Sequence, residues 1–248
     1  MTATAILYTG FGYALAADGR QRWGHAPSRD ATARESEKES IQKIFKLETG
    51  QAVFGCALRG SVANRDRSFD LGVEFPNQIA LLRREKFENG HRLVDALSTN
   101  IGDYIEAARE EQRIDGYPDV RITCVGYFNK TPHWVEVQFL PSHNPLGSLH
   151  WLNPTVPYPG LCVVTGSLLI RDLISHADPR FFEFYRPFDE TASLQDAIEV
   201  VKNYIEACSS PMALEVDPSC EELGGHIHVA TVTHTGFKWE VPPLVTAL

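Results

Sequence analysis

Met1-Thr2-Ala3-Thr4-Ala5-Ile6-Leu7-Tyr8-Thr9-Gly10-Phe11-Gly12-Tyr13-Ala14-Leu15-Ala16-Ala17-Asp18-Gly19-Arg20 is the stretch from which the fold is read. Residues 3–9 and 11–18 read as two strands joined by a tight turn at Gly10. A hydroxyl residue stands directly behind Met1, and removal of Met1 would make Thr2 the first residue. A terminal threonine joins a nucleophilic hydroxyl to a free α-amine that takes the hydroxyl proton, so it carries its own base. That amine has an ordinary pKa of about 7.7–8.0, which leaves a large neutral fraction near physiological pH.

Further strands are expected at Lys43–Leu47 and Gln51–Leu58, around a turn at Thr49-Gly50. Phe69, Leu71, Val73 and Phe75 alternate, which predicts a short strand, with a helical stretch after Pro76. Asn89-Gly90 ends that helix. A longer one follows, carrying Leu93, Val94, Leu97, Ile101, Tyr104, Ile105 and Ala108 at helical spacing. Strands are expected at 119–128 and 133–140, and residues 141–160, with five prolines, read as an excursion loop. A strand at 161–165, helices at 167–176 and 192–208, and a hairpin at 226–240 complete the pattern. The polar stretch 24–40 reads as a loop or short exposed helix. Its charged part, Arg29–Glu39, is a solvated loop or a docking surface. No internal repeat or long linker appears, so residues 1–248 are expected to form one α+β domain.

The formal charge of −9 argues against a general nucleic-acid binder, which needs a basic surface. No apolar run is long enough to span a bilayer, and no secretory signal opens the chain. The five cysteines are scattered without a CxxC pair, as suits buried free thiols in a reducing cytoplasm. The expected partners therefore include neither nucleic acid nor a membrane. His226 and His228 share one face of a strand, a geometry that metal ligands use, but no third ligand is evident and no metal site is assigned. Gly10-Phe11-Gly12 lacks the later glycine and the strand–helix context of a nucleotide fingerprint, and no cofactor is expected.

The landmarks together resemble the proteasome β-type family of N-terminal nucleophile hydrolases, and among them a divergent bacterial homologue. The opening strands lead into Leu15-Ala16-Ala17-Asp18-Gly19-Arg20, like the family's hydrophobic-Ala-Asp-x-Arg segment, at an ungapped offset from Thr2. Lys43-Ile44-Phe45-Lys46-Leu47 is similar to its lysine segment, and Leu58-Arg59-Gly60-Ser61-Val62-Ala63-Asn64 to the glycine that follows a strand. Thr165-Gly166-Ser167 and Gly224-Gly225 stand where a Gly-Ser pair and a late Gly-Gly occur. Three departures stand out. Segment 19–42 is long, the residues after Gly60 alternate where the family runs into a helix, and Cys220-Glu221-Glu222-Leu223 replaces Asp-x-x-Ser before the late Gly-Gly.

The resemblance implies a four-layer αββα sandwich, two antiparallel sheets flanked by helices. It also implies a threonine peptidase that acts on peptides or unfolded proteins from a homo-oligomeric ring; no ATPase partner is identified. Thr2 would be the nucleophile, Lys43 the neighbouring charge, Asp18 its holder, and the Gly60 amide the oxyanion donor. Lys46 competes with Lys43 by giving an ungapped spacing to Gly60, whereas Lys43 reproduces the apolar pattern through Ile44 and Leu47. Ser167 would polarise the α-amine or merely cap the following helix. Glu221 or Asp217 would stand in for the missing aspartate. Gln21, Arg22, Leu58 and Val62 would line a specificity pocket suited to neutral or apolar side chains, with ordinary core as the alternative for Leu58. Two other functions compete with the peptidase: an inactive structural subunit of the same fold, and a non-peptide amidase.

Overall fold

The computed structural model describes residues 2–20, 41–60, 64, 68–115, 117–139 and 150–244. These fall into two compact units, one of residues 1–44, 158–231 and 238–248, the other of residues 45–157 and 232–237. Gln21, Arg22 and Val62, together with the charged stretch 24–40, lie outside the described residues.

The first unit is built on the opening hairpin. Strands β1 (Thr4–Thr9) and β2 (Gly12–Ala17) pair antiparallel from Thr4↔Ala17 to Thr9↔Gly12. Every residue of both strands is buried. This explains why Ala5-Ile6-Leu7 and Tyr13-Ala14-Leu15-Ala16-Ala17 read as continuous apolar runs rather than alternating ones. Taking β3 (Ile44–Glu48), β4 (Ala52–Gly60), β5 (Val120–Phe128), β6 (Thr131–Phe139) and β7 (His150–Thr155) in chain order, the next strands of this sheet are β8 (Cys162–Thr165), β9 (His228–Thr233) and β10 (Gly236–Val241). The strand order is β10-β9-β2-β1-β8.

Helix α1 is Leu71–Leu82 and α2 is Gly90–Glu110, both in the second unit; α3 (Leu168–Ser175), α4 (Leu194–Cys208) and the short α5 (Pro211–Val216) belong to the first. Helix α4 starts at a reciprocal capping box between Ser193 and Asp196 and lies on β1 and β2. Its buried face (Ala197, Val201, Tyr204, Ile205 and Cys208) forms one core with Ala3, Ala5, Leu7, Ala14 and Ala16. The small strand residues let the helix backbone come close.

The second unit carries the sheet β3-β4-β5-β6-β7. Its β5–β6 turn is tighter than expected. Asn129 and Lys130 both take positive φ, +47° and +66°, as a two-residue hairpin of the right twist requires. Helix α2 is capped by Asn89, whose side chain accepts from the Arg92 amide. Of the apolar stripe that its spacing predicted it buries Leu93, Val94, Leu97, Ile101, Ile105 and Ala108, with Tyr104 partly buried. The Phe69–Phe75 stretch is corrected from strand to helix. Asp70 caps α1 by accepting from the Val73 amide, and Leu71, Phe75, Ile79 and Leu82 are its buried face. A period of 3.6 passes through Leu71 and Phe75 as readily as a period of 2, and Val73, which the strand reading needed inside, is exposed. Residues 141–160 are likewise not all loop, since β7 pairs with β6 from Trp134↔Thr155 to Phe139↔His150. It is an edge strand, where Pro154 is tolerated.

The fold class is α+β, with two antiparallel five-stranded sheets accompanied by helices. No described helix is long and apolar enough to cross a membrane.

Candidate active site

Asp18 lies just past the end of β2 and is fully buried. Its Oδ1 accepts from the Ala3 amide at 2.9 Å and from the Lys43 ammonium at 2.8 Å, and its Oδ2 accepts from the Gly224 amide at 3.2 Å. The Asp18 amide in turn donates to the Ala3 carbonyl at 3.2 Å. One carboxylate thus joins the residue beside Thr2, a lysine brought in just ahead of β3, and the Gly-Gly loop before β9. A carboxylate fully removed from water requires such partners.

Lys43 is 1 % exposed and also donates to the Arg20 carbonyl at 2.8 Å. Burial holds its pKa below the ordinary lysine value, while Asp18 pulls the other way. The Lys43 backbone amide donates to Nε2 of His228 at 3.0 Å. Lys46, two residues into β3, is half-exposed and pairs with Glu48. The structure therefore brings Lys43 to Asp18 and leaves Lys46 at the surface.

Arg20 has two roles. Its carbonyl takes the lysine, and its guanidinium donates to the carbonyls of Glu221 and Leu223 at 3.1 and 2.9 Å. Gly224 has φ +131°, and a Cβ there would lie 3.1 Å from the Arg20 guanidinium carbon. The positive φ is the reason this position favours glycine; the guanidinium, at the end of a flexible side chain, could give way to a Cβ. Through these bonds Arg20 ties the loop before β9 to the end of the first hairpin.

Thr2 is half-exposed, and its carbonyl accepts from Thr165 Oγ1 at 3.4 Å. Thr165 is the strand partner of Thr4, and their hydroxyls lie 2.8 Å apart. At Gly166 (φ +110°) a Cβ would stand 3.0 Å from that of Ala3, so a glycine lets β8 run close against the start of the chain. Ser167 follows and is buried. Its Oγ accepts from the Ile170 amide at 3.1 Å, capping α3, and donates to Asp217 Oδ2 at 2.5 Å. The Tyr204 hydroxyl spans the carbonyls of Thr165 and Ser167 at 3.2 and 3.1 Å.

Asp217, not Glu221, is the carboxylate that meets Ser167. Its Oδ1 accepts from both the hydroxyl and the amide of Ser219, at 2.6 and 3.0 Å. Bonds from Ser167 and then Ser219 hold its pKa below the ordinary carboxylate value. Glu221 is exposed and offers its backbone carbonyl to Arg20. Of the two acids named from the sequence, Asp217 is thus the one in contact with Ser167, with Ser219 on its other oxygen.

The fold is that of Anbu proteins, the ancestral β-subunits. An Anbu Gly-1 mutant from Hyphomicrobium sp. strain MC1 has a TM-score of 0.59 at 12 % identity, over 96 % of this chain and 84 % of that one. The Anbu complex of Pseudomonas aeruginosa, solved as a helical assembly, has a TM-score of 0.60 at 10 % identity, over 100 % and 88 %. Anbu from Yersinia bercovieri has a TM-score of 0.53 at 12 % identity, over 96 % and 87 %. No protein-family model matches the chain, and no curated protein matches it significantly. These likenesses correct the expected membership of the proteasome β-type family: the matching structures are Anbu, a proteasome-like but distinct family.

In the second unit, Gly60 ends β4 at φ +96°, and a Cβ there would lie 1.9 Å from the Asp119 carbonyl oxygen. Strand packing alone thus requires glycine at this position. Leu58 is 1 % exposed and belongs to the core of that unit. His226 Nε2 contacts the Pro242 carbonyl at 2.8 Å, while His228 is turned inward. Among the described residues no group of three metal ligands occurs. Four of the cysteines are buried, Cys162 is half-buried, and all five are free thiols.

Proposed function

We propose that the chain is an amide-bond hydrolase of the N-terminal nucleophile type, with Thr2 as the nucleophile once Met1 is removed. The observation that carries this reading is the shared Asp18 oxygen, which holds the Lys43 ammonium and the amide of the residue next to Thr2. In the proposed reaction the Thr2 hydroxyl attacks a substrate carbonyl and its proton passes to the α-amine. The resulting ammonium returns that proton to the leaving amine, and an ester remains on Thr2. Water then attacks the ester, giving its proton to the amine; the carboxylic acid is released as the Thr2 oxygen leaves and takes that proton back, which restores the free threonine.

Lys43 favours this course electrostatically. As an ammonium it lowers the pKa of the nearby amine and hydroxyl. Burial also moves its own pKa down, so its proton is exchanged more readily than that of an exposed lysine. Asp18 fixes its position. Ser167, with Asp217 and Ser219 behind it, orients the terminus in this reading; the Gly60 amide is the proposed oxyanion donor on the sequence landmark alone. A peptide substrate, a homo-oligomeric assembly and a cytoplasmic setting belong to the same proposal, the assembly supported by the helical arrangement of the Pseudomonas Anbu complex.

The test is intact-mass analysis of the mature terminus before and after a threonine-directed electrophile, with Thr2→Ala as control. One adduct on the Met1-free parent and none on the control is expected, together with hydrolysis of unstructured peptides. A panel of small amides separates peptidase from amidase. Equal labelling or equal hydrolysis by Thr2→Ala removes Thr2 from the chemistry.

A further inference from the structure

His228 is buried at the first residue of β9, and the nucleophile chemistry above makes no use of it. Its Nε2 accepts from the backbone amide of Lys43 at 3.0 Å. A backbone N–H only donates, so that nitrogen carries no proton and the ring is the neutral tautomer with its proton on Nδ1. The Trp239 ring stands edge-on to it, with centroids 6.2 Å apart. The charged or titratable groups facing the imidazole are Lys43 and His226.

Lys43 immediately precedes β3, so its amide lies outside the strand's own residues. The bond to His228 fixes that amide. Its side chain then runs in the opposite direction, to Asp18 and the Arg20 carbonyl. The lysine is therefore pinned at both ends, its amide by an imidazole and its ammonium by a carboxylate. A side chain of four methylenes held only at its tip samples several rotamers; pinning the backbone as well narrows them.

We propose that His228 is a positioning residue for Lys43, setting the point from which the lysine reaches Asp18 and hence the place of its ammonium beside the N-terminal residue. This rests on the hydrolase reading above, to which it adds a residue that never touches substrate. Burial brings the ring's pKa down to about 3, with the charge of Lys43 acting in the same direction, so the acceptor persists across the range in which the enzyme would work.

The test uses the full chain with Met1 removed and compares His228→Gln with His228→Asn. The glutamine oxygen reaches the place of Nε2 and the asparagine oxygen does not, so the two differ in the bond while sharing polarity. Two readouts are taken: the pH profile of Thr2 acylation by the electrophile, and the Lys43 Nζ resonance by nitrogen NMR. His228→Asn is expected to acylate about tenfold to a hundredfold more slowly, with its pH midpoint displaced and the Nζ resonance shifted. His228→Gln is expected within about threefold of the parent, with both signals retained. Equal behaviour of the two variants, in rate or in Nζ resonance, overturns the proposal while leaving Thr2 as nucleophile. A parent that takes no adduct at Thr2 overturns both.

Discussion

Asp18→Asn is the perturbation from which the site has most to lose. Asparagine offers one acceptor oxygen where aspartate offers two. If that oxygen keeps the Ala3 amide and Lys43, the new NH2 group faces the Gly224 amide, donor against donor. The unmade bond costs about 1–3 kcal/mol. The larger effect is on Lys43, now buried with no counter-charge; breaking a buried pair by removing one member costs about 3–5 kcal/mol. The two costs overlap, so about 3–5 kcal/mol is expected at pH 7. The lysine responds by discharging more readily. Its folded pKa, already below the ordinary value through burial, falls further once the Asp18 interaction that raised it is gone. Between that folded pKa and the unfolded value of 10.5, the unfolded chain binds more protons, so stability rises with pH. The deficit of Asp18→Asn should therefore shrink between pH 7 and pH 9.5. Adding Lys43→Met should recover much of it at pH 7 by removing the orphan charge. Urea unfolding followed by tryptophan fluorescence, for the parent, the single variant and the double variant, measures all three quantities. A single variant within about 1 kcal/mol of the parent refutes the reasoning. So does a deficit that is unchanged at high pH, or a double variant no more stable than the single.

Gly60→Ala forces a Cβ into the Asp119 carbonyl at a φ of +96°, and a loss of about 2–4 kcal/mol is expected in the same unfolding assay. Ser167→Ala removes a helix cap and should cost about 1–2 kcal/mol. It should also let the Asp217 pKa rise toward its ordinary value, as read by carboxyl carbon NMR, because the Ser167 hydroxyl is the largest cause of its depression. The stability that Asp217 contributes is present above the unfolded carboxylate pKa and is lost as pH falls through the folded one, so this variant should lose it over a narrower range. His228 works in the same sense as Asp217 but over a higher range: its folded pKa, about 3, lies below the unfolded 6.5, so its contribution is complete well above pH 6.5 and declines as pH falls. From pH 6.5 to 5 the parent should lose about 1.6 kcal/mol in all that His228→Gln does not lose, the slope steepening toward about 1.4 kcal/mol per pH unit. Parallel acid limbs for the two proteins would refute it.

The opening hairpin and the α2 stripe were legible because each rests on a local period or a turn, whereas the two-sheet class came from the order of landmarks and elements along the chain. The Phe69–Phe75 segment was not, since two periods fit the same four apolar residues and only the capping role of Asp70 separates them. At the site, Asp18 and Lys43 were named from landmark order, and the structure brings them together at 2.8 Å. The Asp217–Ser167 contact was beyond the reach of spacing. Ser167 and Asp217 are 50 residues apart, and Asp217 is held there by capping the 3₁₀ turn Pro218–Glu222, which no spacing shows. His228 was noticed for its pairing with His226, a strand-face argument, yet the two rings serve different partners. Arg20 was a landmark without a role until the Gly224 loop closed over it.

Stability alone gives no account of why Lys43 is inside. A buried ion pair commonly stabilises a protein no better than apolar side chains of equal volume, because desolvation offsets the attraction. Here Lys43 has Asp18, the Arg20 carbonyl and His228 arranged around its two ends, and Asp18 in turn holds the backbone of Ala3 and Gly224. With Lys43 itself these residues come from four separate stretches of chain, so the arrangement is specified by the whole first unit rather than by one local turn. Replacing the pair by hydrophobes, as Asp18→Leu with Lys43→Met, removes both charges but leaves the Ala3 and Gly224 amides without their acceptor, so a loss of about 2–6 kcal/mol is expected together with loss of labelling at Thr2. A folded double variant that still forms the adduct would show that the ammonium does not serve the nucleophile.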